Sequence, residues 1–192
     1  MKFRIGPPPE DAALVEDGSG WRPVNEPSPL KMQILGVCMA VCIALCVSAI
    51  VLLFVGRAHV FDLSWPAVFV LVFLVLPVHE LLHAVGCKGG VISRRIVLGF
   101  YPRTLGIYVH YGGRISRSRY IIIAALPFVV LSVVPLVLLV ALRLDHEYLT
   151  ELIMANGLAS ALDVLTIAII LKETPQRSVL INSGMRTYWR PE

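Results

Sequence analysis

Charged and imidazole side chains seldom stand inside long apolar runs, and four of them do so in this chain of 192 residues. One run carries His79-Glu80-Leu81-Leu82-His83, an HExxH pattern, and another carries Asp163. At about 100° per residue on a helix, the two histidines stand roughly 40° apart, so both imidazoles can face one ion. Glu80 follows His79 directly and can stand beside that ion without ligating it, where it can take a proton from water. Catalytic zinc typically has three protein ligands and an open position for a water whose pKa falls to about 7. His79 and His83 supply two ligands, and Asp163 is the candidate third. With five His and eight Glu in the chain, chance alone gives an HExxH in roughly 0.5% of sequences of this length.

These residues need elements that hold them at one depth. The chain is 57% apolar and 16% charged, with a mean hydropathy of +0.77, against about 45–50% and about 25% in soluble domains. The excess falls in four runs, 32–55, 66–86, 120–142 and 152–171, each long enough for roughly 30 Å of hydrocarbon. In lipid such runs must be helices, because nothing else nearby satisfies their backbone groups. The expected fold is an all-α membrane protein, a four-transmembrane-helix bundle over 32–171. It is flanked by a Pro-rich N-terminal segment, 1–31, and a tail, 172–192. The second and fourth spans run in the same direction. His79 is nine residues before Lys88 and Asp163 nine before Lys172, which places both roughly 13 Å below one boundary. Asn156, Ser160 and Asp163 share a polar stripe on the fourth helix. Asn156 and Ser160 are candidates for contact with substrate or for hydrogen bonds to the ligand shell, with helix joining and back-bonding to the helix as the plainer alternatives.

Fifteen of the 17 Lys and Arg fall in the N-terminal segment, the loop between the second and third spans, and the tail. The positive-inside rule then makes those three segments cytoplasmic, in a multi-pass protein expected at the plasma membrane. The net charge of +4 is thereby a mark of topology and of anionic lipid, not of a nucleic-acid partner. Within that loop, 95–101 and 107–111 lean towards strand and flank a turn signal, which predicts a β-hairpin at the cytoplasmic membrane surface. Cys38, Cys42 and Cys46 are expected to pack as small apolar residues along one helix face. Cys87 is a candidate for lipidation. His59 and His146 are expected in solvated outer loops, while His110 in the hairpin is a minor candidate for the site. Pro77, Pro127 and Pro135 are expected to bend their helices, and Tyr188 with Trp189 to anchor the tail among headgroups.

The segments HELLHAVG (79–86), RYIIIAALPFVVLS (119–132) and NGLASALD (156–163) resemble the putative zincin peptidase family, which is distantly similar to the site-2 intramembrane metalloproteases. Leu82 and Val164 stand where the site-2 group often has glycine. The resemblance implies Zn2+ as cofactor, Glu80 as general base, Asp163 as the residue completing the zinc ligands, and peptide-bond hydrolysis in a membrane-protein or membrane-associated peptide. Two His and a carboxylate also describe non-haem iron, although the chain's single Glu-x-x-His argues against a di-iron bundle. The other class is a non-catalytic regulator or transport-associated protein that uses the cluster for metal or proton binding. Oligomeric state is not legible in the sequence.

Overall fold

A computed structural model describes residues 1–11, 20–56, 69, 71–103, 106–144 and 146–192. Helix α1, Pro29–Val55, opens on a proline whose fixed φ suits the first turn and closes on Gly56 at φ 82. A π turn, Leu71–Val75, leads into α2, Leu76–Gly86. Helix α3, Arg117–Phe128, passes through a second π turn, Val129–Val133, into α4, Val134–Ala141. The two π turns share a cause. Pro77 and Pro135 lie four residues after Phe73 and Leu131, the central residues of the two turns. A proline offers no N–H to the carbonyl four residues back and its ring crowds that carbonyl, so the helix widens there.

The fourth apolar run is two helices, α5 Glu147–Ala159 and α6 Ala161–Glu173, bent by 44° at Ser160. Ser160 has φ −77 and ψ −1, outside the helical ψ that would carry the axis straight on. Among the described residues, two helices (Pro29–Val55 and Arg117–Ala141) are long and apolar enough to cross a membrane, and the bent pair makes a third if counted as one span. Phe73–Gly86 is a shorter apolar helix. Residues 66–68 and 70 of the expected second span lie outside the described residues, as does His59.

The chain is mostly helical but not all-α, which corrects the expected class. The predicted hairpin is present: β3, Ile96–Tyr101, pairs antiparallel with β4, Gly106–Tyr111. It gains a third strand from the N-terminal segment, where β1, Lys2–Ile5, lies parallel to β3. Since alternate residues share a sheet face, Phe3, Ile5, Leu98, Phe100, Ile107 and Val109 all stand on one side. A second sheet has the order β2-β7-β6-β5. It joins Arg22–Pro23 (β2), Ile115–Ser116 (β5), Ser178–Ser183 (β6) and Arg186–Pro191 (β7). The tail is therefore a β-hairpin. Trp189 packs beside Val24, Ile170 and Leu180 under the Arg22 guanidinium.

The described chain forms two compact units. One comprises Met1–Pro27, Glu80–Ala124 and Thr166–Glu192 and holds both sheets; the other comprises Ser28–His79 and Ala125–Leu165. The core of the second is the stripe Ile43, Val47 and Val51 of α1 against Leu139, Ile153, Met154 and Ala161. Gly157 lets α5 come close to α1, since a Cβ there would stand 3.0 Å from Ile43 Cγ2. Cys38, Cys42 and Cys46 are exposed, on a different face of α1 from the buried stripe Ile43, Val47 and Val51.

Candidate metal centre

His79 is buried on α2, 4% exposed, and both of its ring nitrogens are engaged. Nδ1 lies 2.9 Å from Asn156 Oδ1. The amide's orientation is fixed by what surrounds it. Asn156 Nδ2 donates to the Pro127 carbonyl at 3.1 Å and to Ser132 Oγ at 2.9 Å, with a longer approach to Ser160 Oγ at 3.4 Å. A backbone carbonyl can only accept, so Oδ1 is the end turned to the ring and His79 Nδ1 carries the proton. Ser132 Oγ donates in turn to the Ile153 carbonyl at 2.9 Å. Every member of this network is nearly inaccessible (Asn156 and Ser160 0%, Ser132 2%), and a buried polar group without a partner costs about 1–3 kcal/mol.

With its Nδ1 proton committed, His79 turns Nε2 towards Asp163 Oδ2 at 3.1 Å. Two acceptors at that distance need a proton or a metal cation to reconcile them. Asp163 lies in the first turn of α6, a position created by the break at Ser160, and the positive end of the helix dipole favours its negative charge there. The two residues that stand nine before Lys88 and nine before Lys172 thus meet.

His83 follows one turn along α2, which runs unbroken from Leu76 to Gly86. Its Nδ1 donates to the Ile123 carbonyl at 2.9 Å, which again leaves Nε2 as the lone-pair nitrogen. His79, His83 and Asp163 each offer one ligand atom, all within 4.8 Å of one another. Two atoms bound at about 2.0–2.1 Å to a tetrahedral ion stand roughly 3.3 Å apart, so the 3.1 Å pair of His79 and Asp163 is at ligand spacing, and an ion would draw the wider members of the group inward from within 4.8 Å. Two neutral imidazoles with second-nitrogen partners and one carboxylate form a donor set that suits zinc.

Residues 72–179, more than half of the chain, match the putative zincin peptidase family. The chain belongs to that family. No curated protein and no solved structure matches it. The segment shared with the putative zincin peptidases contains His79, Glu80, His83, Asn156, Ser160 and Asp163, whereas β1, β2 and β7 lie outside it. The family description implies a zinc metallopeptidase. The structure brings His79, His83, Asp163, Asn156 and Ser160 together, and Glu80 is half-buried on the same helix as the histidines.

Ser132 and the carbonyls of Ile123 and Pro127 escaped the sequence reading. One signal was available: Ser132 is the single serine in the run 120–142, and a lone hydroxyl in an apolar span invites the question of what it bonds. His110 does not belong to the ligand group. It is 4% exposed in β4, and burial lowers its pKa from the ordinary value, opposed by the charge of Asp11 and reinforced by that of Arg4. Cys87 is 3% exposed, and burial pushes its thiol up to about 11. It is an inert core residue rather than a lipidation site.

Proposed function

We propose that this chain is an integral-membrane zinc metallopeptidase that hydrolyses peptide bonds of membrane-associated substrates. The observation that carries the reading is the convergence of two histidine Nε2 lone pairs and the Asp163 carboxylate. His79, His83 and Asp163 would hold the ion. Bound zinc supplies a Lewis acid that polarises a peptide carbonyl and acidifies water. Glu80 takes the proton from the attacking water on a carboxylate oxygen and returns it to the leaving amine nitrogen. Asn156, through Oδ1, keeps His79 in the tautomer that can ligate, and Ser160 supports that amide. A helical substrate must unwind locally to expose a carbonyl, and β4, which ends its sheet, offers an edge for an extended stretch.

The proposed topology has four spans, with both termini cytoplasmic at the plasma membrane. Strand pairing supports one part of it. A β-sheet cannot be laced across a bilayer, and the two sheets join the N-terminal segment, the loop after α2 and the tail. These are the three segments that hold fifteen of the 17 basic residues.

The test combines metal analysis of the purified protein with proteomics of membrane-protein fragments. Stoichiometric zinc in both wild type and Glu80→Gln, with fragments produced only by wild type, is the expected result. Full activity in Glu80→Gln removes the base assignment. Iron in place of zinc, or no metal at all, overturns the zinc reading, and the second result favours a non-catalytic regulator.

A further inference from the structure

Pro127 lies within α3, which keeps α-helical geometry from Arg117 to Phe128. Any other residue at that position would donate its N–H to the carbonyl four residues back. Four back from 127 is Ile123, and the Ile123 carbonyl is the atom that accepts from His83 Nδ1 at 2.9 Å. The acceptor left without its usual helical donor is thus the one that holds a ligand imidazole. A second feature brings the two helices close enough. A Cβ at Gly86 would stand 3.1 Å from Ile123 Cγ1 and 3.3 Å from Ile123 Cα, tighter than ordinary contact.

We propose that Pro127 is a positioning residue for the metal centre: by withholding an N–H from α3 it reserves the Ile123 carbonyl for His83. That carbonyl fixes the ring with its proton on Nδ1 and its lone pair on Nε2. In free imidazole side chains either nitrogen can carry the proton, so an ordinary helix at this point would leave His83 competing for a shared acceptor. The inference rests on the proposed role of His83 as a ligand, and it assigns Pro127 a role that bending alone does not. Pro135 serves as the control, because it sits in the same continuous helix and releases the carbonyl of Leu131, at the centre of a π turn.

The experiment uses the full chain in lipid nanodiscs, stripped of metal by a chelator and labelled with 15N-histidine. Its tautomers are read by NMR at a pH where the rings are neutral, and zinc alone is then titrated in competition with a fluorescent chelator. His83→Gln assigns the resonance. Wild type is expected to show His83 protonated on Nδ1. Pro127→Ala shifts it towards the Nε2-protonated form and weakens zinc binding about tenfold, while Pro135→Ala stays within about twofold. The α-hydroxy acid analogue of alanine at 127, introduced by cell-free synthesis, lacks both the ring and the N–H and returns both readouts to wild type. Gly86→Ala, which pushes Ile123 away with Pro127 intact, shifts the tautomer in the same direction as Pro127→Ala. This second variant keeps the question open to test if Pro127→Ala does not fold.

An unchanged His83 tautomer in Pro127→Ala overturns the proposal. So does an equal shift in Pro135→Ala, or an ester variant that behaves like Pro127→Ala. If wild type binds no zinc, the metallopeptidase reading fails, whereas the tautomer measurement still decides the role of Pro127.

Discussion

His79 and His83 are one turn apart on a single helix, yet their imidazoles are held by partners of different kinds. Around His79 the partner is a side chain, Asn156, itself locked by Ser132, Ser160 and a carbonyl. Around His83 it is the backbone of α3 at Ile123. Both arrangements reach the same result, an Nδ1–H turned to oxygen and an Nε2 lone pair turned to the site. Their weaknesses differ. A socket built from side chains can be dismantled by one substitution, while a backbone carbonyl survives every substitution at its own position and yields only to changes in helix geometry or in competing donors.

The largest expected effect tests what the two sockets serve. His79→Ala and Asp163→Ala should each abolish stoichiometric zinc in the purified protein, measured by elemental analysis. Zinc retained at full stoichiometry in either variant would dissolve the comparison. Next comes the side-chain socket itself. Asn156→Leu should loosen zinc about 10–100-fold and cost about 1–3 kcal/mol in thermal unfolding. Asn156→Asp keeps an acceptor for His79 but no donor for Pro127 and Ser132, so it should recover part of the zinc affinity and none of the stability. Equal zinc affinities for the two variants would show that the His79 tautomer does not depend on Asn156.

Ser132→Ala lies one step further out. It should cost about 1 kcal/mol of stability and shift zinc affinity by less than about threefold. A loss as large as that of Asn156→Leu would mean that the hydroxyl, not the amide, holds the ring.

The smallest effect sharpens the contrast with a histidine outside the candidate ligand group. Burial lowers the His110 pKa, so on acidification the unfolded chain binds a proton first, near the ordinary value of 6.5. Stability from neutral His110 is complete above that value and lost as the pH falls below it. His110→Gln should flatten this acid-side slope in the melting temperature and leave zinc binding unchanged.

Much of the site could be read from residue type and spacing. HExxH, the lone Asp163 and the matched counts to Lys88 and Lys172 identify the residues that meet, because a charge inside a long apolar run has few reasons to be there. The hairpin 96–111 was legible from its alternation and turn. The supports were harder to read. Pro127 looks like any helix-bending proline until the carbonyl four residues back is known to face His83. The break at Ser160 has no signal, because no proline or glycine stands at 159–162 to mark the bend. β1 and β2 were missed because each is short and becomes a strand only against a partner far along the chain, and the tail hairpin because its two six-residue strands are mixed in composition.

That last feature constrains how the protein is made. Arg22 and Pro23 find their partners in Trp189 and Tyr188, more than 160 residues later. At ~5–20 residues per second, translation holds the early strand unsatisfied for on the order of ten to thirty seconds. Contacts this distant also slow the closing step itself. The helices between these strands are therefore synthesised before this sheet can be stitched, and the β6–β7 hairpin acts as the final clasp. A chain truncated before Ser178 would leave Arg22–Pro23 without its partner strand and open to proteases, while Lys2–Ile5 would keep its pairing with β3.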